Sequence, residues 1–362
     1  MKKNIVLWGT GETAQSLLKH RKLFLKNREI TYFVDNNKNL WGKTFHDFPV
    51  ISPNELQNLN FDEIVISSIL YSKEIISQIT DELGISRDKA TTPNDIFKEA
   101  LIEKYDNSND KEIQDIIAHY RTSGFNIFGK YPERPRKPYY VKRDSDDMPY
   151  IMFEGKKMFY PRNRKFAQLD DQEVVYDVLY EQGENSPHLY VKDETEIPGG
   201  GVLVDAGVCE GNFALRYIDK VSKCYLIECD PFWIEALKKT FEPYASKVVI
   251  CDKFLGRNDS EDTIQLDTLV TEKIDFLKMD IEGAEVEALL GAKKTLQRSN
   301  ARCAICSYHR QKDEEDIKFI LSALGYDTET SKGYMFFIYD KNIYYTLDFR
   351  RGIVYGKKLK EQ

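Results

Sequence analysis

The segment Leu203-Val-Asp205-Ala-Gly207-Val-Cys-Glu210-Gly211-Asn212-Phe213 constrains the chain more than any other. An apolar run ends in Asp, turns on two glycines and opens an apolar-periodic helix. Strand, tight turn, helix in that order is the unit of an open parallel α/β sheet. Gly207 reads as a point of close backbone approach by a ligand, and Gly211 as the point where the helix start packs against the strand.

The same alternation recurs twice. In the first hundred residues, strands are expected at 4–8, 30–34 and 63–67, with helices at 14–25 and 73–83. Ser52-Pro53-Asn54-Glu55 is a capping box that starts a helical turn. A polar helical stretch follows, and Lys130-Tyr-Pro-Glu-Arg-Pro-Arg-Lys-Pro138 is too proline-rich for regular helix. From residue 201 the alternation resumes, with strands at 202–205, 223–228, 248–251, 276–280 and 303–307. Helices are expected at 173–182, 211–218, 232–241, 284–296 and 313–324. Runs 334–339 and 343–347 suggest an antiparallel edge. The expected organisation is a small Rossmann-like α/β domain at 1–100, a helical and Pro-rich linker at 101–145, and a larger α/β domain at 146–362.

The chain has 362 residues, enough for two domains at roughly 100–200 residues each. A formal charge of −7 argues against a nucleic-acid backbone as partner, because binding phosphates needs clustered cations. No apolar run is long enough to span a bilayer, and the run after Lys3 ends at Gly9, too short for a signal peptide; a cytoplasmic protein is expected. All six cysteines fall in the second half and read as reduced, buried thiols; Cys303-x-x-Cys306 with His309 has no second pair at zinc spacing.

Two further motifs give the larger domain its chemistry. Glu228 ends the next strand in Ile227-Glu228-Cys229-Asp230-Pro231, where an acid can accept both ribose hydroxyls of a nucleoside. Glu210 inside the glycine loop would repel a pyrophosphate but welcome a sulfonium, which points to S-adenosylmethionine. Asp275-Phe-Leu-Lys278-Met-Asp280-Ile-Glu282-Gly283-Ala-Glu285 then places charge at the carboxyl end of a central strand, where open α/β sheets bind ligands. Lys278, Asp280, Glu282 and Glu285 are expected to reach the transferred methyl group; the alternative for Glu285, and for Glu282 as well, is a capping role at the helix after Gly283.

Lys278-Met-Asp280-Ile-Glu282-Gly283-Ala-Glu285 matches the K-x-D-x-E-G-x-E signature of FkbM-type methyltransferases. Gln265-Leu-Asp267-Thr-Leu269 resembles that family's T-L-D-x-L segment, with Gln265 in place of Thr. Glu181-Gln182-Gly-Glu-Asn-Ser186-Pro187-His188-Leu-Tyr190 resembles a bacterial branch. The resemblance covers about residues 175–340. It implies a class I methyltransferase fold and S-adenosylmethionine-dependent transfer of a methyl group to oxygen, often on a sugar, as in polysaccharide biosynthesis. The expected cofactor contacts are Asp205, Gly207, Glu210, Gly211, Asn212, Phe213, Glu228, Asp230, Asp252 and Asp280, with Ser186, His188 and Tyr190 covering them.

His309 follows the strand beside Asp280. It is read either as a general base, suited by an ordinary pKa near 6.5, or, with Asp280 and Glu282, as a ligand of a divalent ion that would acidify the hydroxyl. Gly9-Thr10-Gly11-Glu-Thr-Ala14 with Val34-Asp35-Asn36 resembles the Rossmann-like domains of nucleotide-sugar enzymes. It is read as a docking, acceptor-binding or homo-oligomerising unit. The acceptor is expected to be a small sugar or nucleotide-sugar. The rival readings are an NAD-dependent oxidoreductase and a non-catalytic nucleotide-sugar-binding protein.

Overall fold

The computed structural model describes residues 2–131, 139–162, 164 and 180–359. The proline-rich stretch 132–138 and most of the helix expected at 173–182 lie outside them. The chain forms two compact units, residues 1–130 with 341–348, and residues 131–340 with 349–362.

In the first unit, Ile5, Val6, Leu7 and Trp8 are sealed from solvent on both faces, as a central parallel strand requires. The sheet runs Thr44–Phe45, Phe48–Ile51, Arg28–Val34, Lys3–Trp8, Glu63–Ile66, Ala90–Thr91, parallel except for its first pair. The first helix is Glu12–Lys19, and a break at His20 separates it from Arg21–Phe24, so the single helix expected at 14–25 is two. The Ser52–Glu55 capping box is present and starts a short helical turn. A second box, Thr92 with Asp95 behind Pro93, starts the helix Pro93–Tyr105. Helix Ile343–Thr346 belongs here too: Tyr344 packs edge-on against Phe24 at 5.6 Å, and Leu347 O accepts from Tyr105 Oη at 2.9 Å.

The second unit has a seven-stranded sheet in the order Val248–Cys251, Lys223–Ile227, Val202–Ala206, Phe276–Met279, Arg302–Cys306, Ile353–Lys358, Tyr326–Thr330. The first five strands are parallel and the last two antiparallel. Consecutive strands run outward from Val202–Ala206 to one side; Phe276–Met279 starts the other. The strand order therefore switches between these two strands, and it is outside the carboxyl ends at such a switch that open α/β sheets take their ligands. The antiparallel edge exists, but not from residues 334–339 and 343–347. Left-handed backbone at Gly333 precedes the first run and at Leu347 ends the second, Met335 makes a single bridge to Arg350, and 343–346 is helical. A three-stranded antiparallel sheet, Lys142–Arg143, Pro149–Phe153 and Lys156–Phe159, packs Met148 and Phe159 on Ala236 of helix Pro231–Thr240.

Candidate active site

The glycine loop after Val202–Ala206 is shaped by its own protein. Gly207 has φ +77°, and a Cβ there would lie 1.7 Å from the carbonyl oxygen of Asp280. The close approach that requires glycine is therefore the neighbouring strand's end, not a ligand's as the sequence suggested. Gly211, at φ +78°, starts helix Asn212–Tyr217; a Cβ there would meet Leu237 Cδ2 at 2.8 Å. Its packing partner is the next helix rather than the strand. Phe213 is buried and stacks edge-on against Tyr190 at 5.4 Å.

Lys278 holds this loop from within. Its Nζ lies 3.1 Å from Asp205 Oδ1 and donates to the carbonyls of Ala206 and Gly207. Asp205 and Lys278 are both buried. Burial disfavours the ammonium, but Asp205 and Asp280 outweigh it and raise the Lys278 pKa. Lys278 thus spends its donors on the glycine loop, with its Nζ 5.2 Å from the Tyr190 ring.

Glu228 has left the strand Lys223–Ile227 and accepts Cys209 N at 2.9 Å and Asp230 N at 2.9 Å. These bonds fix its carboxylate beside the glycine loop and leave each oxygen with a further lone pair. Asp230 accepts Phe232 N at 2.8 Å as the cap of helix Pro231–Thr240. Asp252 follows Val248–Cys251 and is exposed. Phe232 and Phe254, each 56% exposed, stand at the same two strand ends. No motif marks them in sequence; only exposed aromatics one to three residues past strand-end acids could have. Glu210 is buried, with Arg164 Nη1 3.9 Å away, and burial pushes its carboxyl up.

Asp280 is the hub of the site. Tyr190 Oη donates to Oδ2 at 2.7 Å, and Tyr308 Oη to Oδ1 at 3.2 Å. His188 Nε2 lies 3.5 Å from Oδ2, and His309 Nε2 lies 3.4 Å from Oδ1. Burial would raise the Asp280 pKa, but His188, Lys278 and His309 hold it well below the carboxylate range. The phenols of Tyr190 and Tyr308 are pushed far up, by burial first and then by Asp280. His188 is placed by Gln182 Nε2 at 3.2 Å and by Glu181 Oε1 at 3.7 Å. Burial pushes Glu181 up to about 7. Ser186 serves the local turn, its Oγ accepting His188 N at 3.1 Å.

Of the two carboxylates that the sequence brought to this strand end, the structure turns one outward and one inward. Glu282 has φ +56° and a side chain 84% exposed, whereas the Glu285 side chain is sealed. Left-handed backbone at Glu282 and Gly283 turns the chain so that Glu285 faces inward. Glu285 Oε1 accepts Ile281 N at 2.8 Å and lies 3.0 Å from His309 Nδ1. Burial lowers the His309 pKa, but Glu285, Asp280 and Glu282 together raise it above the ordinary value. Asp280, Glu285 and His309 could each give one atom to a metal ion, as could His188, Asp280 and Cys306. The first set has Glu285 where Glu282 was expected. Among the described residues Cys306 is tied to His188, at 3.4 Å, and Cys209 is exposed rather than buried.

In the first unit the strand-end acid is used internally. Asp35 Oδ2 accepts Thr10 N at 3.1 Å and Thr10 Oγ1 at 2.7 Å, and Oδ1 accepts Asn37 N at 2.8 Å.

No helix among the described residues is long and apolar enough to cross a membrane. Residues 1–91 match the family described as C2185-like, N-terminal. No curated protein matches the chain. A methyltransferase FkbM from Methylobacillus flagellatus KT is 18% identical over 98% of this chain and 90% of its own, with a TM-score of 0.44. A precorrin-6y C5,15-methyltransferase from Geobacter metallireducens GS-15 is 12% identical over 54% of this chain and 93% of its own, with a TM-score of 0.33. Residues 212–336, which span the Asp280–His309 site, match the family described as methyltransferase FkbM domain, and the chain is a methyltransferase.

Proposed function

We propose that the second unit transfers the methyl group of S-adenosylmethionine to a hydroxyl of a sugar or nucleotide-linked sugar. The observation that carries the reading is the excess of carboxylate at one crevice: Asp280, Glu210, Glu181 and Glu285 converge where the strand order switches. Such an excess is costly unless a cation enters. The donor set fits this cofactor: Glu228 and Asp230 at the second strand end, Asp252 at the third, and the exposed rings of Phe232 and Phe254 for a flat base. When bound, the cofactor supplies an electrophilic methyl group on a cationic sulfur.

The protein's own groups do the rest. Asp280, held ionised and gripped by two phenols, sets a fixed negative charge at the reacting position. With Nδ1–H directed at Glu285, neutral His309 keeps the Nε2 lone pair for the acceptor's hydroxyl proton, with Asp280 Oδ1 3.4 Å away to hold the imidazolium that forms. As oxygen takes the methyl group, its proton passes to Nε2, and Glu285 steadies the imidazolium. Phe337 packs 5.2 Å from the His309 ring, and Tyr339, 5.6 Å beyond, is 62% exposed. These rings give an apolar face for a sugar ring beside the base. Glycan surface polymers made in the cytoplasm are the setting in which such an acceptor occurs. Incubation with S-adenosylmethionine and a panel of nucleotide-sugars tests the reading by mass: one acceptor should gain a methyl group, with S-adenosylhomocysteine released in equal amount. Release without any methylated sugar, or transfer to nitrogen, would overturn it.

A further inference from the structure

His309 and Tyr308 sit on an irregular loop after strand Arg302–Cys306, so their placement depends on what anchors that loop. Ser307 begins the anchorage, donating through N to Gly352 O and through Oγ to Arg351 O, each at 2.9 Å. Arg350 completes it. One terminal nitrogen, Nη1, donates to two successive carbonyls, Tyr308 O at 2.9 Å and His309 O at 3.0 Å. The other, Nη2, lies 2.6 Å from Asp340 Oδ2. The Arg350 side chain is 4% exposed and that of Asp340 10%. A charge kept this dry must be paired, and a planar guanidinium fixes all three acceptors in one geometry. Lysine, a single point charge, cannot span them. Asp340 is also the last residue before the chain leaves this unit; 341–348 count with the first, and Phe349 rejoins the second. The ion pair therefore closes the neck of that excursion.

We propose that Arg350 is a positioning residue for His309, and that Asp340 sets Arg350, so the base is in register only while the ends of the 341–348 excursion are held together. The inference rests on the reading of His309 given above. The test is a histidine ring ¹H–¹³C correlation spectrum of the full chain, with the His309 signal assigned by its loss in His309→Gln; the chain has five histidines. In Arg350→Lys the His309 signal should move or broaden, while His46 and His119 stay in place and S-adenosylhomocysteine affinity changes by less than about threefold. Turnover should fall about tenfold to a hundredfold, as for other small misplacements of a reacting group. Asp340→Asn should move the same signal less, and it decides the matter if Arg350→Lys does not fold. An unmoved His309 signal in a folded variant overturns the proposal. If the signal moves but His309→Gln keeps full turnover, the positioning stands and the catalytic reading of His309 falls.

Discussion

The two units share an architecture but treat their charges in opposite ways. In the first, Arg28 sits between Glu63, at 2.8 Å, and Glu99, also at 2.8 Å, while Lys3 adds to Glu63 at 3.1 Å. Its strand-end acid, Asp35, closes its own glycine loop through Thr10. In the second, the acids at the strand ends outnumber the cations that face them. Asp280 is met by two phenols and two imidazoles rather than by an arginine. A parallel sheet with a glycine turn therefore does not define a site; unbalanced charge at its switch point does.

The comparison can be broken most sharply at His309. His309→Ala should lower turnover by about 10²–10⁴-fold and leave cofactor affinity nearly unchanged. Because the His309 pKa is raised, the neutral base forms only as pH climbs past a value above 6.5, so activity should rise with pH through that value. Turnover should be insensitive to EDTA; loss with EDTA and recovery with Mg²⁺ would instead make His309 a ligand.

The next effect is on stability and belongs to the first unit. Arg28→Met leaves Glu63 in a dry site with only Lys3 and Thr91 to hold it and should cost about 3 kcal/mol by denaturant unfolding, with no change in cofactor affinity. Burial opposes ionisation of Glu63, but Arg28 and Thr91 hold its pKa at about 2 against an ordinary 4.5. A depressed carboxylate stabilises above its unfolded pKa, so this contribution should be full at neutral pH and fade as pH falls from about 4.5 toward about 2. Acid titration of the unfolding midpoint, with and without Arg28→Met, reads it directly.

A smaller change is expected at Glu228. Glu228→Ala removes a charge-assisted acceptor worth about 1.5–3 kcal/mol, or about tenfold to a hundredfold in S-adenosylhomocysteine affinity by calorimetry. The smallest belongs to Asp35→Asn, which should cost about 1 kcal/mol of stability and nothing in cofactor binding.

How much of this was legible follows from how local each signal is. The Asp205 loop, Glu228 and Asp280 could be placed at strand ends because strand, turn and helix are contiguous in sequence. Which of Glu282 and Glu285 stays inward could not be, because two acids three residues apart look alike until left-handed backbone at Glu282 selects one. The run 334–339 alternates like a strand, yet its partners were settled by Gly333 and by the antiparallel pairing of Ile353–Lys358. Tyr308, Phe232 and Phe254 carry no motif at all; their importance comes from which strand end they follow. Arg350 reaches Tyr308 across 42 residues of sequence.

Calorimetry on the full chain tests the central claim most directly, with S-adenosylhomocysteine and NAD titrated in turn against wild type, Glu228→Ala and Asp35→Asn. The account predicts one S-adenosylhomocysteine site, weakened about tenfold or more by Glu228→Ala, untouched by Asp35→Asn, and no NAD binding. Tight NAD binding lost with Asp35→Asn, or S-adenosylhomocysteine binding indifferent to Glu228→Ala, would contradict it.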